Sequence, residues 1–161
     1  MQTLFPNITA VVLAGGQARR MGGQDKGLIE VSGKAMIEHV LTILQSQLDN
    51  IVINANRNLD IYEKYGFPVI PDSYEGFNGP LAGMASCMKT IKTEYIITSP
   101  CDTPMLPNDY VVRMLETLES KQADISVADN GERIQPVFSL IKSSLLDSLL
   151  DYLDAGERKI D

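Results

Sequence analysis

Residues 8–27 read Ile-Thr-Ala-Val-Val-Leu-Ala-Gly-Gly-Gln-Ala-Arg-Arg-Met-Gly-Gly-Gln-Asp-Lys-Gly. Ile8 to Ala14 is a nearly continuous apolar run, the pattern of a strand buried on both faces. The stretch from Leu13 to Gly27 then holds five of the chain's 12 glycines and three of its 14 basic residues. Glycines let a backbone turn its N–H groups toward an anion without Cβ interference. Arg19 and Arg20 can grip phosphate oxygens with forked hydrogen bonds, and Lys26 acts as a point charge. Placed at the exit of a buried strand, this segment predicts a cradle for a nucleotide polyphosphate. A mobile surface loop would use glycines too, but gives no reason for basic residues to gather there. Two better-known cradles do not match. A Walker loop needs Gly-Lys-Ser/Thr four residues after a first glycine, and a dinucleotide fingerprint needs Gly-x-Gly-x-x-Gly.

Outward from this segment, strand and helix patterns alternate along the whole chain, with no repeat and no low-complexity linker. A short strand is expected at 28–31. Residues 35–48 place Ile37, Val40, Leu41, Leu44 and Leu48 on one helical face. Strands are expected at 50–54, 67–70, 94–98, 124–128 and 136–141, and helices at 57–65, 81–91, 108–120 and 144–153. The resulting fold class is α/β: one three-layer α/β/α Rossmann-like domain over residues 1–161 with a mostly parallel sheet. Such sheets bind ligands beyond the carboxyl ends of their strands. The loops starting at 15, 54, 71 and 99 therefore carry the chemistry.

Composition narrows the function. Fourteen Lys plus Arg against 21 Asp plus Glu give a net charge of −7, which argues against a nucleic-acid surface. No apolar run reaches the roughly 18 residues of a membrane helix. With two cysteines and one histidine, neither a disulfide framework nor a zinc site is expected. Cys87 and Cys101 read as small buried hydrophobes, and His39 as a surface or rim residue. A cytoplasmic protein handling a small molecule is the expectation.

Further motifs follow the glycine-rich segment in order: Asn54-Ala55-Asn56-Arg57, Pro71-Asp72-Ser73, Gly79-Pro80-Leu81-Ala82-Gly83 and Cys101-Asp102-Thr103-Pro104. Asn130-Gly131-Glu132-Arg133 and Ala155-Gly156-Glu157-Arg158 complete the set. Together they resemble the molybdopterin nucleotidyltransferase family, and within it the guanylyl-transferring members, across residues 8–159. The resemblance implies transfer of GMP from GTP to molybdopterin, with Mg²⁺ and release of pyrophosphate. It places Leu13, Ala14, Gly15 and Gly16 against guanine and ribose, and Lys26 at the phosphates. Asn54 and Asp72 line the nucleoside pocket, and Asp102 holds Mg²⁺. On physical grounds either Asp72 or Asn54 can read the guanine edge. Lys26, Asp102, Arg19 and Arg20 are expected to carry catalysis. The acceptor is expected at Gly79, Pro80, Leu81, Ala82 and Gly83, with Arg133 as an anchor.

Family members continue past the region matching Gly156-Glu157-Arg158, with another strand and an Asn-rich loop opening a final helix. The sequence is thus expected to be a piece of a longer protein. Molybdenum-insertion proteins or molybdoenzyme chaperones are further partners the resemblance suggests. Three other readings stay open: a cytidylyltransferase for the same cofactor, a sugar-1-phosphate nucleotidyltransferase, and a non-catalytic GTP-binding adaptor.

Overall fold

The structure is a computed structural model that describes residues 4–16, 22–73 and 79–160. Its centre is a six-stranded sheet in the order β5-β4-β1-β6-β8-β7. The strands are β1 (Ile8–Leu13), β4 (Asn50–Asn54), β5 (Val69–Ile70), β6 (Tyr95–Pro100), β7 (Ile125–Asp129) and β8 (Ile134–Lys142). β1, β4, β5 and β6 are mutually parallel, while β8 runs antiparallel to both β6 and β7. A small hairpin of β2 (Glu30–Val31) and β3 (Lys34–Ala35) stands outside the sheet.

Among the described residues the helices that cover the sheet are α1 (Met36–Gln45), α2 (Leu59–Glu63), α3 (Gly79–Thr90), α4 (Tyr110–Ser120) and α5 (Leu146–Asp154). The two faces of β1 show the strand period directly. Ile8, Ala10 and Val12 enter one apolar cluster with α1, α2 and α4. Val11 points the other way, into a cluster with Met84, Cys87 and Met88 of α3. This is the three-layer α/β arrangement expected from the alternating patterns. The strand expected at 28–31 is displaced, because Lys26–Leu28 forms a 3-10 turn and pairing starts only at Glu30. Pro107 and Asn108 precede α4 without joining it, and buried Gln47 fixes its start. The Gln47 amide donates to Pro107 O at 2.9 Å and accepts from Val111 N at 2.8 Å.

Two features open the carboxyl edge of the sheet. β8 pairs with β6 only from Tyr95 to Ile97. At the next residue the buried Thr98 hydroxyl donates to Val137 O at 2.8 Å and accepts from Ser139 N at 3.1 Å. Beyond that bridge Pro100 and Val137 part and become two walls of a cavity.

Candidate active site

Two adjoining cavities lie at this edge. One, of about 270 Å³, is lined by Leu13, Gly15, Gly16, Asn54, Asp72, Gly79, Pro80, Pro100 and Val137. The other, of about 210 Å³, is lined by Leu13, Ala14, Gly16, Asp25, Lys26, Cys101 and Asp102. Leu13 and Gly16 border both, so the end of β1 separates a mostly apolar compartment from a charged one. A larger cavity, about 360 Å³, lies beyond the Asp102 loop between α4 and the β7–β8 hairpin. It is lined by Thr103, Met114 and Phe138 among others, and contains neither Lys26 nor Asp102.

In the first compartment the acidic group is Asp72. Its Oδ1 accepts from Asn54 Nδ2 at 2.8 Å, and its backbone N–H donates to Asn56 Oδ1 at 2.7 Å. Asn54 also donates to Ile70 O at 3.0 Å, which uses both amide hydrogens. It is only 2% exposed, so its amide is committed to holding Asp72 and the end of β5. Asp72 is half-buried, and among the described residues its second carboxylate oxygen accepts no hydrogen bond. Gly15 and Gly83 make this arrangement possible. A Cβ on Gly15 would lie 2.9 Å from Asn56 Nδ2, and one on Gly83 would overlap Asn54 Oδ1.

In the second compartment Lys26 Nζ stands 3.8 Å from Asp102 Oδ2. Lys26 is half exposed and Asp102 about one-third exposed, so the pair is open to solvent on one side. Cys101, next in the wall, is buried, and burial pushes its thiol up to about 12. It is an inert wall rather than a nucleophile.

The expected site residues therefore fall into groups. Leu13, Ala14, Gly15, Gly16, Asn54, Asp72, Lys26 and Asp102 converge on the two cavities. Gly79 and Pro80 line the first, whereas Ala82 and Gly83 are buried in α3 and Leu81 packs against the α3-side cluster. Arg133 is exposed in the turn between β7 and β8, and lines neither cavity. Arg19 and Arg20 lie outside the described residues. Read from sequence alone, Asp25 and Tyr62 have no part, because the contact between them joins segments 37 positions apart.

Residues 10–161 match the model of the MobA-like NTP transferase domain. The chain belongs to that family. This nucleotidyltransferase is 53% identical to the molybdenum cofactor guanylyltransferase of Shewanella frigidimarina (strain NCIMB 400), over 98% of this chain and 81% of that protein. It is 52% identical to the protein of the same name from Shewanella sp. (strain MR-4), over 96% of this chain and 78% of the relative. Among solved structures, molybdopterin-guanine dinucleotide biosynthesis protein A from Archaeoglobus fulgidus superposes with a TM-score of 0.78 at 22% identity. That superposition covers 94% of this chain and 76% of the other, and it shows a shared fold.

Proposed function

We propose that this chain transfers GMP from GTP to the terminal phosphate of molybdopterin, releasing pyrophosphate. The observation that supports this most is that two cavities share a wall at Leu13 and Gly16, one holding the oriented Asp72 carboxylate and the other the Lys26–Asp102 pair. Guanine occupies the first, where free Asp72 Oδ2 accepts from the base N–H groups; adenine would leave that carboxylate unpaired. Asn54 positions Asp72 and does not itself read the base. The triphosphate occupies the second, against Lys26; Leu13 to Gly16, in the walls of the two cavities, meet guanine and ribose, and Arg19 and Arg20 are assigned to the phosphates.

Among the described residues no three His, Cys, Asp or Glu side chains gather into a metal-binding group. A single accessible carboxylate beside a phosphate site still suits Mg²⁺, whose remaining octahedral positions are filled by phosphates and waters. Asp102 is the residue that would hold it. When bound, the ion supplies positive charge against the phosphates.

The acceptor phosphate oxygen is anionic at neutral pH, so this chain need not remove a proton. That oxygen bonds to the α-phosphorus as the bond to the bridging oxygen breaks, and the electron pair leaves with pyrophosphate. Two polyanions must meet, and Lys26 with the two arginines lowers that repulsion while the walls fix the in-line approach. Gly79, Pro80 and Arg133 are assigned to the acceptor. The test is pyrophosphate release with each of the four NTPs and Mg²⁺, with and without molybdopterin. Release from GTP alone, dependent on the acceptor, is expected. Preference for CTP, or GTP binding without release, would contradict the proposal.

A further inference from the structure

We infer that Asp25 is a positioning residue for Lys26, locked by a clamp of three side chains from the segment after β4: Arg57, Asn58 and Tyr62. The inference rests on the reading that Lys26 meets the triphosphate. Asp25 is the residue before Lys26, and its side chain is only 7% exposed. Each of its oxygens is engaged. Oδ1 accepts from the Tyr62 hydroxyl at 2.6 Å and from Gly27 N at 3.3 Å. Oδ2 accepts from Asn58 Nδ2 at 3.0 Å and lies 3.9 Å from Arg57 Nε. Arg57 also reaches the chain just upstream, donating to Gly23 O at 3.0 Å and Gln24 O at 3.3 Å. Residues 23 to 27 are thus held from one side by a single short segment.

Lys26 has a backbone bond within its own turn, its carbonyl accepting from Ile29 N at 3.3 Å, but among the described residues no side chains clamp it as they clamp Asp25. Its ammonium is half exposed and meets Asp102 at 3.8 Å, so its backbone must be held by its neighbours. On its other side Gly27 is packed so closely that a Cβ would lie 2.7 Å from the Tyr62 hydroxyl and 3.0 Å from Cys101 Sγ. The Tyr62 ring is fully buried. Burial, reinforced by the Asp25 hydrogen bond, raises its phenol far above the ordinary value, so the donor to Asp25 persists across the working pH range. A long, flexible lysine gains its precision from the rigidity of the turn that carries it, and small misplacements at a reacting centre are costly.

The test is a double-mutant cycle with Tyr62→Phe, which keeps the buried ring and deletes the hydroxyl. With intact Lys26, Tyr62→Phe should lower kcat for GTP-dependent pyrophosphate release about tenfold, short of the ~10²-fold that a full misplacement can cost. In a Lys26→Ala background it should change kcat less than about twofold, because the two changes remove one interaction. Equal losses in both backgrounds, or no loss with Lys26 intact, overturn the inference. Amide exchange at Gly27, read on the same proteins without nucleotide, should accelerate in Tyr62→Phe; unchanged exchange also overturns it. If the wild-type chain releases no pyrophosphate from any NTP, the guanylyl-transfer reading fails and the Gly27 exchange alone decides the clamp. Should Tyr62→Phe fail to fold, Asn58→Gly deletes a second clamp donor at a residue whose φ of 52° glycine adopts freely, with the same outcomes.

Discussion

The amide oxygen of Asn54 occupies the space in which Gly83 would carry a side chain. Asn54 is thereby pressed toward β5, with its amide hydrogens aimed at Asp72 and Ile70. A helix interior disfavours glycine by about 1 kcal/mol relative to alanine, yet α3 keeps one here. Gly83 does not line the first cavity but shapes it from behind, through Asn54.

Gly83→Ala is expected to displace Asn54 and free Asp72. The helical gain of about 1 kcal/mol is outweighed by overpacking of about 1–3 kcal/mol. KM for GTP should rise about tenfold, the equivalent of one lost hydrogen bond, with kcat changed less. Steady-state kinetics and a urea titration check both parts.

Asp72→Asn should narrow the preference for GTP over ATP. An Asn at this position can offer an amide oxygen, but no longer a carboxylate that adenine leaves stranded. The ratio of kcat/KM for the two nucleotides should fall by at least about tenfold, within the range that a polar site built for one partner commands. An unchanged ratio assigns base reading to another group.

Lys26→Ala and Asp102→Ala should each reduce turnover by at least ~10²-fold, comparable to losing one oxyanion donor. Ion pairs this exposed contribute only about 0–1 kcal/mol to stability, so both proteins should fold with near wild-type urea midpoints. Loss of activity together with stability would instead make the pair structural.

Stability should decline as pH rises above about 9. Cys87 and Cys101 are both pushed by burial up to about 12, and Tyr62 and Tyr110 are raised from 10 by burial first. Between the unfolded and folded pKa values the unfolded chain holds fewer protons than the folded one, so rising pH favours unfolding. Urea midpoints from pH 7 to 11 check this. Constant midpoints through pH 11 would contradict it.

The layered fold was legible because β1 and the apolar stripe of α1 follow the two periods cleanly: one face of β1 meets α1 in one cluster, and Val11 on the other face meets α3 in a second. That Leu13 to Gly16 and Lys26 gather around two cavities was legible because they crowd one strand exit. What escaped notice depends on contacts between distant segments. Asp25 looks like one more acidic surface residue until Tyr62, 37 positions away, is found donating to it. Asn54 and Asp72 are individually ordinary turn formers. Only the closure of α3 against β4 shows that the first orients the second. The strand expected at 28–31 starts only at Glu30 because the Asp25 carboxylate, accepting from Gly27 N, turns the chain into a 3-10 helix first.

The most direct test of the two-compartment site is a crystal structure of this chain with Mg²⁺ and a non-hydrolysable GTP analogue. The guanine is expected within hydrogen-bonding distance of Asp72 Oδ2, with the phosphates reaching Lys26 and Asp102. A nucleotide seated instead in the cavity between α4 and the β7–β8 hairpin, with Lys26 still paired only to Asp102, would contradict the account.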